Sequence, residues 1–454
     1  MLALRFVPPG LPGRGHQDRF SAYHGQCLRS GAALCLKTHR NDHRRQKERE
    51  VMDTAKERIK VQISTEELQR RWKAVREAMA REKIDFLVMQ NSNQWLGGYV
   101  KWFTDVPSFN GYPTTVVFPR DGEMTVINIG PRMDPESLLT DLSTKDWALR
   151  GVKNRFTAPY FPSLHYSKTY DGELVADLLK SSKAGAVGFV GMGHIPAPFH
   201  QTITTQLTSA RFMDATDLVD EIKAVKSEEE IGLIKNAASI QDAAFEEALK
   251  GLRPGARDSD IFALVQYTVQ KLGSEEQLIM AGSAPMGTPC PMLKRHFMHR
   301  EMKRGDQFTL MIETNGPGGM YAEMGRTCVL GKASEELLQA SEVARQAQQV
   351  TLDLLKPGAD PKELIAANNE FLRSKGLPVE KRLYAHGQGY DLVERPGIRD
   401  DEPMKIQANM NITVHPIIGT PRVFAWACDN YLVTEKGVTD CLHRTPKKIF
   451  EIEC

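Results

Sequence analysis
The feature that most limits how this chain can fold is an internal repeat. Leu252-Arg253-Pro254-Gly255-Ala256, followed by Asp260-Ile261 and Gly273, recurs as Leu355-Lys356-Pro357-Gly358-Ala359, Glu363-Leu364 and Gly376, every element displaced by 103 residues. One such segment is an ordinary joint: a helix, a Pro-Gly turn, a helix and a glycine stop. Two in register argue for duplicated αβ halves, and duplicated halves commonly leave a ligand cleft between them.

The segments around the repeat supply further elements. Ser64-x-x-Glu67 reads as a capping box opening a helix that carries Leu68, Trp72, Val75 and Met79 at helical spacing. Residues 84–89 read as a strand, residues 112–118 and 124–129 as a hairpin, and residues 174–179 with 186–190 as an αβ unit. Ser227 and Glu230 form a second capping box ahead of a long helix, so the chain restarts near residue 223. The expected organisation is a tail over 1–56, an α/β domain over 57–222 and a duplicated αβ domain over 223–454.

Charge separates the tail from the body. The chain of 454 residues carries a formal +2, yet residues 1–51 hold ten Lys/Arg against four Asp/Glu, or +6, leaving −4 for the rest. A body without a basic excess is not a nucleic-acid binder by charge. The first 51 residues lack helical or strand periodicity and are expected to be disordered. A translation start at Met52, a dispensable tail and an organellar transit peptide are three readings of them. No apolar run approaches a membrane span of roughly 18 residues. Seven cysteines without a Cys-x-x-Cys pair fit a reduced, cytoplasmic setting.

Polar residues gather where the strands of the two halves are expected. Residues 307–313 and 320–330 read as a hairpin with Glu313 and Glu323 ten residues apart. A carboxylate in an apolar strand is costly to bury alone, although solvent exposure near the turn would account for Glu313 and an ion pair with Arg326 for Glu323. His386-Gly387-Gln388-Gly389 puts an imidazole at a strand end, with glycines that would let a ligand approach the backbone. His415-Pro416 closes another strand, Cys428 and Asp429 lie in a last one, and His296 and His299 occupy a loop before Gly305-Asp306. Two carboxylates and several imidazoles can ligate a metal or act as acid and base, and spacing alone does not choose.

Lys226-Ser227-x-x-Glu230-Ile231, the doubled Leu-x-Pro-Gly-Ala, Glu323-x-x-Arg326-Thr327, His386-Gly387-x-Gly389 and Val433-Thr434-Glu435-Lys436-Gly437 together resemble the creatinase/prolidase/aminopeptidase P superfamily. The resemblance covers about residues 60–452. It implies α/β and α+β architecture: a creatinase-type N-terminal domain, then a pita-bread domain, in a homodimer. Relatives hold two metal ions with two aspartates, a histidine and two glutamates; here those positions fall at Ile312 or Glu313, Glu323, His386, His415 and Cys428. A second family histidine is replaced by Val393, beside Glu394. The resemblance thus implies an altered site without the usual dinuclear metal, since two cations need bridging carboxylates.

The expected activity is hydrolysis of a C–N bond in a small polar substrate, without a cofactor, with His296 or His386 as general base and Glu323 orienting the nitrogen. Tyr390, Arg395 and Asp429, with Tyr384 and Trp426, are expected to line the cleft. Three alternatives stand beside it. One is an Xaa-Pro peptidase-like enzyme with a single divalent ion (zinc, iron or manganese) on Glu313, Glu323, His386 and His415. The others are a lyase resembling the dimethylsulfoniopropionate lyases and a binding protein on the same fold.

Overall fold
The computed structural model describes residues 61–129, 150–159, 161, 163–164 and 166–454. The expected tail over 1–56 and the start at Met52 lie outside them. The first half of the described chain runs α1 (Thr65–Glu82), β1 (Phe86–Asn91), α2 (Tyr99–Thr104), β2 (Thr114–Pro119), β3 (Met124–Ile129) and β4 (Val152–Ala158). It continues through α3 (Tyr170–Ser181), β5 (Ala186–Val190), α4 (Ala197–Gln206), β6 (Arg211–Asp214) and α5 (Thr216–Lys223). The strands form one mixed sheet in the order β4-β3-β2-β1-β5-β6. Side-chain alternation sends Leu87, Met89, Val116 and Phe118 into one apolar cluster and Val88, Val117, Val187 and Phe189 into another. Both faces are therefore buried, which explains strands that read as continuous apolar runs.

The second half runs α6 (Glu228–Gly251), α7 (Asp258–Lys271), β7 (Gln277–Pro285), β8 (Asp306–Asn315) and β9 (Tyr321–Leu330). After α8 (Glu335–Leu354) and α9 (Pro361–Ser374) come β10 (Ala385–Gly387), β11 (Glu394–Gly397), β12 (Asn411–Val414), β13 (Ile417–Gly419) and β14 (Phe424–Trp426). The chain ends with β15 (Asp429–Thr434), β16 (Gly437–Val438) and β17 (Phe450–Ile452). One sheet has the order β17-β9-β8-β7, a second β11-β10-β12-β15-β16, and β13 and β14 pair separately.

The repeat is visible in backbone detail. Gly255 and Gly358 both have φ of 85° and lie in the left-handed region that glycine enters without strain. The Gly255 N–H donates to Met302 O and the Gly358 N–H to Ile406 O, each at 2.8 Å, so each helix-turn-helix is tied to its own half in the same way. The two sheets meet where the Gly325 N–H donates to Cys428 O at 3.1 Å, bridging β9 to the segment entering β15. Gly325 is required there, because the Trp426 ring lies where a Cβ would stand.

The capping boxes differ. At α6 both arms form: Ser227 Oγ accepts from the Glu230 N–H, and Glu230 Oε2 accepts from the Ser227 N–H at 2.8 Å. At α1 only the Ser64 Oγ arm forms, because the Ser64 N–H donates to Glu229 Oε1 at 2.6 Å and Glu67 pairs with Arg70 and Arg71. Arg71, fully buried, also donates to Glu230 at 2.8 Å and to the Trp102 carbonyl at 2.9 Å. A second buried ionic group ties the end of α5 to the segment after β10. Lys223 bonds Asp391 at 2.9 Å and also Glu394, and Lys226 bonds Glu394 at 2.6 Å.

Candidate active site
Glu313 and Glu323 are direct partners across the β8–β9 hairpin, and both are buried, at 6% and 4% exposure. Neither ordinary explanation holds for them. Glu313 is not exposed at a turn, and Arg326 pairs with Asp429 at 2.7 Å rather than with Glu323. The β10–β12 pairing then brings in His386, opposite Thr413, with His415 one residue beyond the end of β12. The His386 and His415 rings stand edge to face with centroids 5.2 Å apart. Donor atoms of Glu323, His386 and His415 all lie within 4.8 Å of one another.

A polar frame fixes these groups. Gln388 Nε2 donates to Glu313 Oε1 at 2.8 Å, and Asn430 Nδ2 donates to Gln388 Oε1 at 2.8 Å and Asn411 Oδ1 at 3.1 Å. The Asn430 Oδ1 accepts from the Glu323 backbone N–H at 2.7 Å, while Glu323 Oε2 accepts from Thr413 Oγ1 at 3.3 Å and the Glu323 carboxyl also accepts from the Cys428 thiol. His386 Nδ1 lies 2.9 Å from Gly387 O, which as a carbonyl can only accept, so Nδ1 carries the proton and Nε2 the lone pair.

Burial sets the electrostatics. It pushes the Glu323 carboxyl up to about 7, against the hydrogen bonds from Cys428 and Thr413. Burial and then the Glu323 charge hold Glu313 well above the ordinary carboxyl range. Burial lowers His386 to about 4 and, with His386 and Arg382 nearby, holds His415 well below the usual imidazole value. Both imidazoles are neutral electron-pair donors near pH 7. Burial and Glu323 keep the Cys428 thiol protonated.

Several expected site residues lie elsewhere. His296 is exposed in a single 3-10 turn over 295–297, its ring against Phe297, and does not join the Glu323–His386–His415 group. Its neighbour His299 bonds Ser259 Oγ at 3.1 Å. Tyr390 is buried beneath the Arg71 guanidinium, and Arg395 pairs with Glu402 and Asp217. Asp429 projects from the face of its strand opposite Cys428 and Asn430, toward Arg326, as strand alternation requires. Of the aromatic pair, Tyr384 bonds Thr351 Oγ1 in the core, and Trp426 covers Gly325. The glycines after His386 admit protein, not ligand: a Cβ at Gly387 would meet the Arg395 backbone, and one at Gly389 the Glu394 carboxylate. Sequence reading missed Gln388, Asn411, Thr413 and Asn430; Asn411 and Thr413 carry one signal, polar residues alternating with apolar ones in the buried strand β12.

The chain is similar in sequence and fold to known enzymes. Residues 232–435 match the family model for metallopeptidase family M24. An uncharacterized hydrolase/peptidase, y4tL, of Sinorhizobium fredii is 25% identical over 84% of this chain and 96% of its own. The Xaa-Pro dipeptidase of Pyrococcus furiosus is 26% identical over 50% of this chain and 65% of its own. Among solved structures, an X-Pro aminopeptidase from Thermotoga maritima superposes with a TM-score of 0.68 at 20% identity, covering 84% of this chain and 99% of its own. A Xaa-Pro dipeptidase from Bacillus anthracis does so with 0.68 at 19% identity, covering 85% and 99%. No helix among the described residues is long and apolar enough to cross a membrane. With its duplicated halves, its hairpin carboxylates and its His-Gly strand end, the chain is a hydrolase whose residues 232–435 match metallopeptidase family M24, and it shares the pita-bread fold of the Xaa-Pro peptidases.

Proposed function
We propose that this hydrolase cleaves an amide-type C–N bond in a small polar substrate at Glu313, Glu323, His386 and His415. The convergence of Glu323, His386 and His415 donor atoms within 4.8 Å, beside the buried Glu313, carries the proposal. Two imidazoles and one carboxylate suit a single zinc or iron ion, and the His386 Nδ1 bond to a carbonyl is the kind of outer contact that aims Nε2 at a metal. A second ion lacks the carboxylates needed to offset mutual cation repulsion. When bound, the single ion supplies Lewis-acid polarisation and an activated water.

The protein groups have separate tasks. Glu313 Oε1 accepts from Gln388, so the proton of its acid form sits on Oε2, from which it can pass to the departing nitrogen. Cys428 and Thr413 hold Glu323 in one orientation through their thiol and hydroxyl contacts to its carboxyl. In a metal-free enzyme the same His386 Nε2 lone pair would take the proton from water. His296, exposed on its 3-10 turn, is given no part in either arrangement.

Two measurements test this. Metal content of protein purified without chelator should be one ion per chain at this site, lost in Glu323→Gln and His415→Asn. Xaa-Pro dipeptides, the substrates named for the relatives, and small amidines should then be assayed for C–N cleavage. Full turnover by His386→Asn or Glu313→Gln would refute the proposed roles.

A further inference from the structure
Behind the candidate active site, on the opposite face of β15, lies a second group of donors that hydrolysis does not use. Asp429, Cys441 and His443 bring an oxygen, a sulfur and a nitrogen within 4.8 Å of one another. The tautomer of His443 is fixed by its surroundings. Gln241 commits its amide N–H groups to the carbonyls of Thr314, at 3.1 Å, and Ala322, so its Oε1 is what faces His443 Nε2 at 2.8 Å. Nε2 therefore carries the hydrogen, and Nδ1 presents a lone pair. That lone pair is buried without a hydrogen-bond partner, on a side chain of 0% exposure, and faces Asp429 Oδ1 at 3.7 Å. The Cys441 thiol donates to the same Oδ1 at 3.3 Å. Three donor atoms this close, one of them a buried lone pair without a partner, can hold a cation between them.

We infer that Asp429, Cys441 and His443 form a second metal site, separate from the Glu323–His386–His415 group, for a thiophilic divalent cation of the zinc type. The donor set decides the class, since thiolate and imidazole favour zinc or cobalt over magnesium or calcium. Gln241 is the outer partner that aims Nδ1, as carbonyl oxygens do for metal-bound histidines elsewhere. Binding would break the Cys441 S–H bond, releasing its proton to solvent and leaving both electrons on sulfur for the metal. The thiolate and Asp429 together supply two negative charges to offset the two of the ion. Arg326, which shares Asp429 Oδ1 at 2.7 Å, is the opposing group and holds the affinity down. Cys441 is only partly buried, which gives an ion a way in.

The test is cobalt(II) titration of the full-length, chelator-treated protein. Two equivalents should bind, one of them raising the near-ultraviolet absorption of a thiolate-to-cobalt bond. Cys441→Ser should lose that band and one equivalent while keeping the other, and Cys428→Ser, beside Glu323, should keep the band. A wild-type protein without the band, a Cys441→Ser protein that keeps it, or its loss in Cys428→Ser instead would each overturn the inference. Alkylation of the wild-type protein gives a check free of folding effects. Zinc should protect Cys441 from iodoacetamide, and modification unchanged at saturating zinc would overturn the site. Loss of the Glu323 ion in Glu323→Gln with retention of the cobalt–thiolate band would show the two sites to be independent.

Discussion

Replacing Glu323 by Gln should make the metal-free protein more stable at pH 8 relative to wild type than at pH 5. Glu323 is buried, and its carboxyl titrates at about 7 instead of the ordinary 4.5, a displacement of about 3 kcal/mol when fully expressed. The sign follows from proton binding. A raised value means that the folded chain holds the proton more tightly than the unfolded one, so low pH favours folding. That advantage is lost as pH climbs from 4.5 through 7, and the substituted amide would not titrate. Between pH 5 and pH 8 the mutant should therefore gain about 2–3 kcal/mol on wild type. Glu313 adds to this in the same direction, because Glu323 is the second cause of its own displacement. His386 titrates in both proteins and cancels, since Glu323 is not among the causes of its shift. Using the difference between two pH values also cancels the constant cost of altering the Thr413 and Cys428 contacts. Thermal unfolding in chelator, followed by circular dichroism, reads the effect as a few degrees of relative shift. A mutant whose deficit or gain is the same at both pH values would refute the buried-carboxylate reasoning. Addition of zinc should then stabilise wild type more than the mutant, which keeps only the Asp429–Cys441–His443 group.

Other expectations follow from single contacts. Lys223→Ala leaves Asp391 and Glu394 buried with one fewer cation, which should cost about 3–5 kcal/mol and lower the unfolding temperature; an unchanged melting curve would contradict it. Gly325→Ala forces a Cβ into the Trp426 ring, and overpacking of this kind costs about 1–3 kcal/mol. Because Gly325 carries the hydrogen bond joining the two sheets, its loss should lower turnover as well as stability. His386→Asn should reduce hydrolysis by about 10²–10⁴-fold with the fold intact, and His296→Ala should leave it unchanged; equal losses from both would return His296 to the site.

How much of this was legible from residues alone depended on the range of the interaction that decided it. The repeat, the helix starts at Ser64 and Ser227 and the hairpin bearing Glu313 and Glu323 rest on local signals, so the elements lie close to where the spacing puts them. Half of one signal failed: Glu67 turns to Arg70 and Arg71, and Glu229 takes its place on the Ser64 N–H. Ion pairs proposed from proximity in sequence fared worse. Arg326 lies three residues from Glu323 yet finds Asp429, 103 residues away, because successive strand residues point to opposite faces.

The sequence by itself determined that two equivalent αβ halves exist and that Glu313, Glu323, His386 and His415 lie on or at the ends of their strands. Periodicity, capping and Pro-Gly punctuation are short-range, and they survive being read along a line. Only the tertiary structure decided which side chains share a space. Strand pairing brought His386 to Glu323, the Gln388–Asn430–Asn411 frame fixed the carboxylates, and strand alternation turned Asp429 to the opposite face. Burial then set the protonation of every group there, and burial is a property of surroundings that only folding assembles.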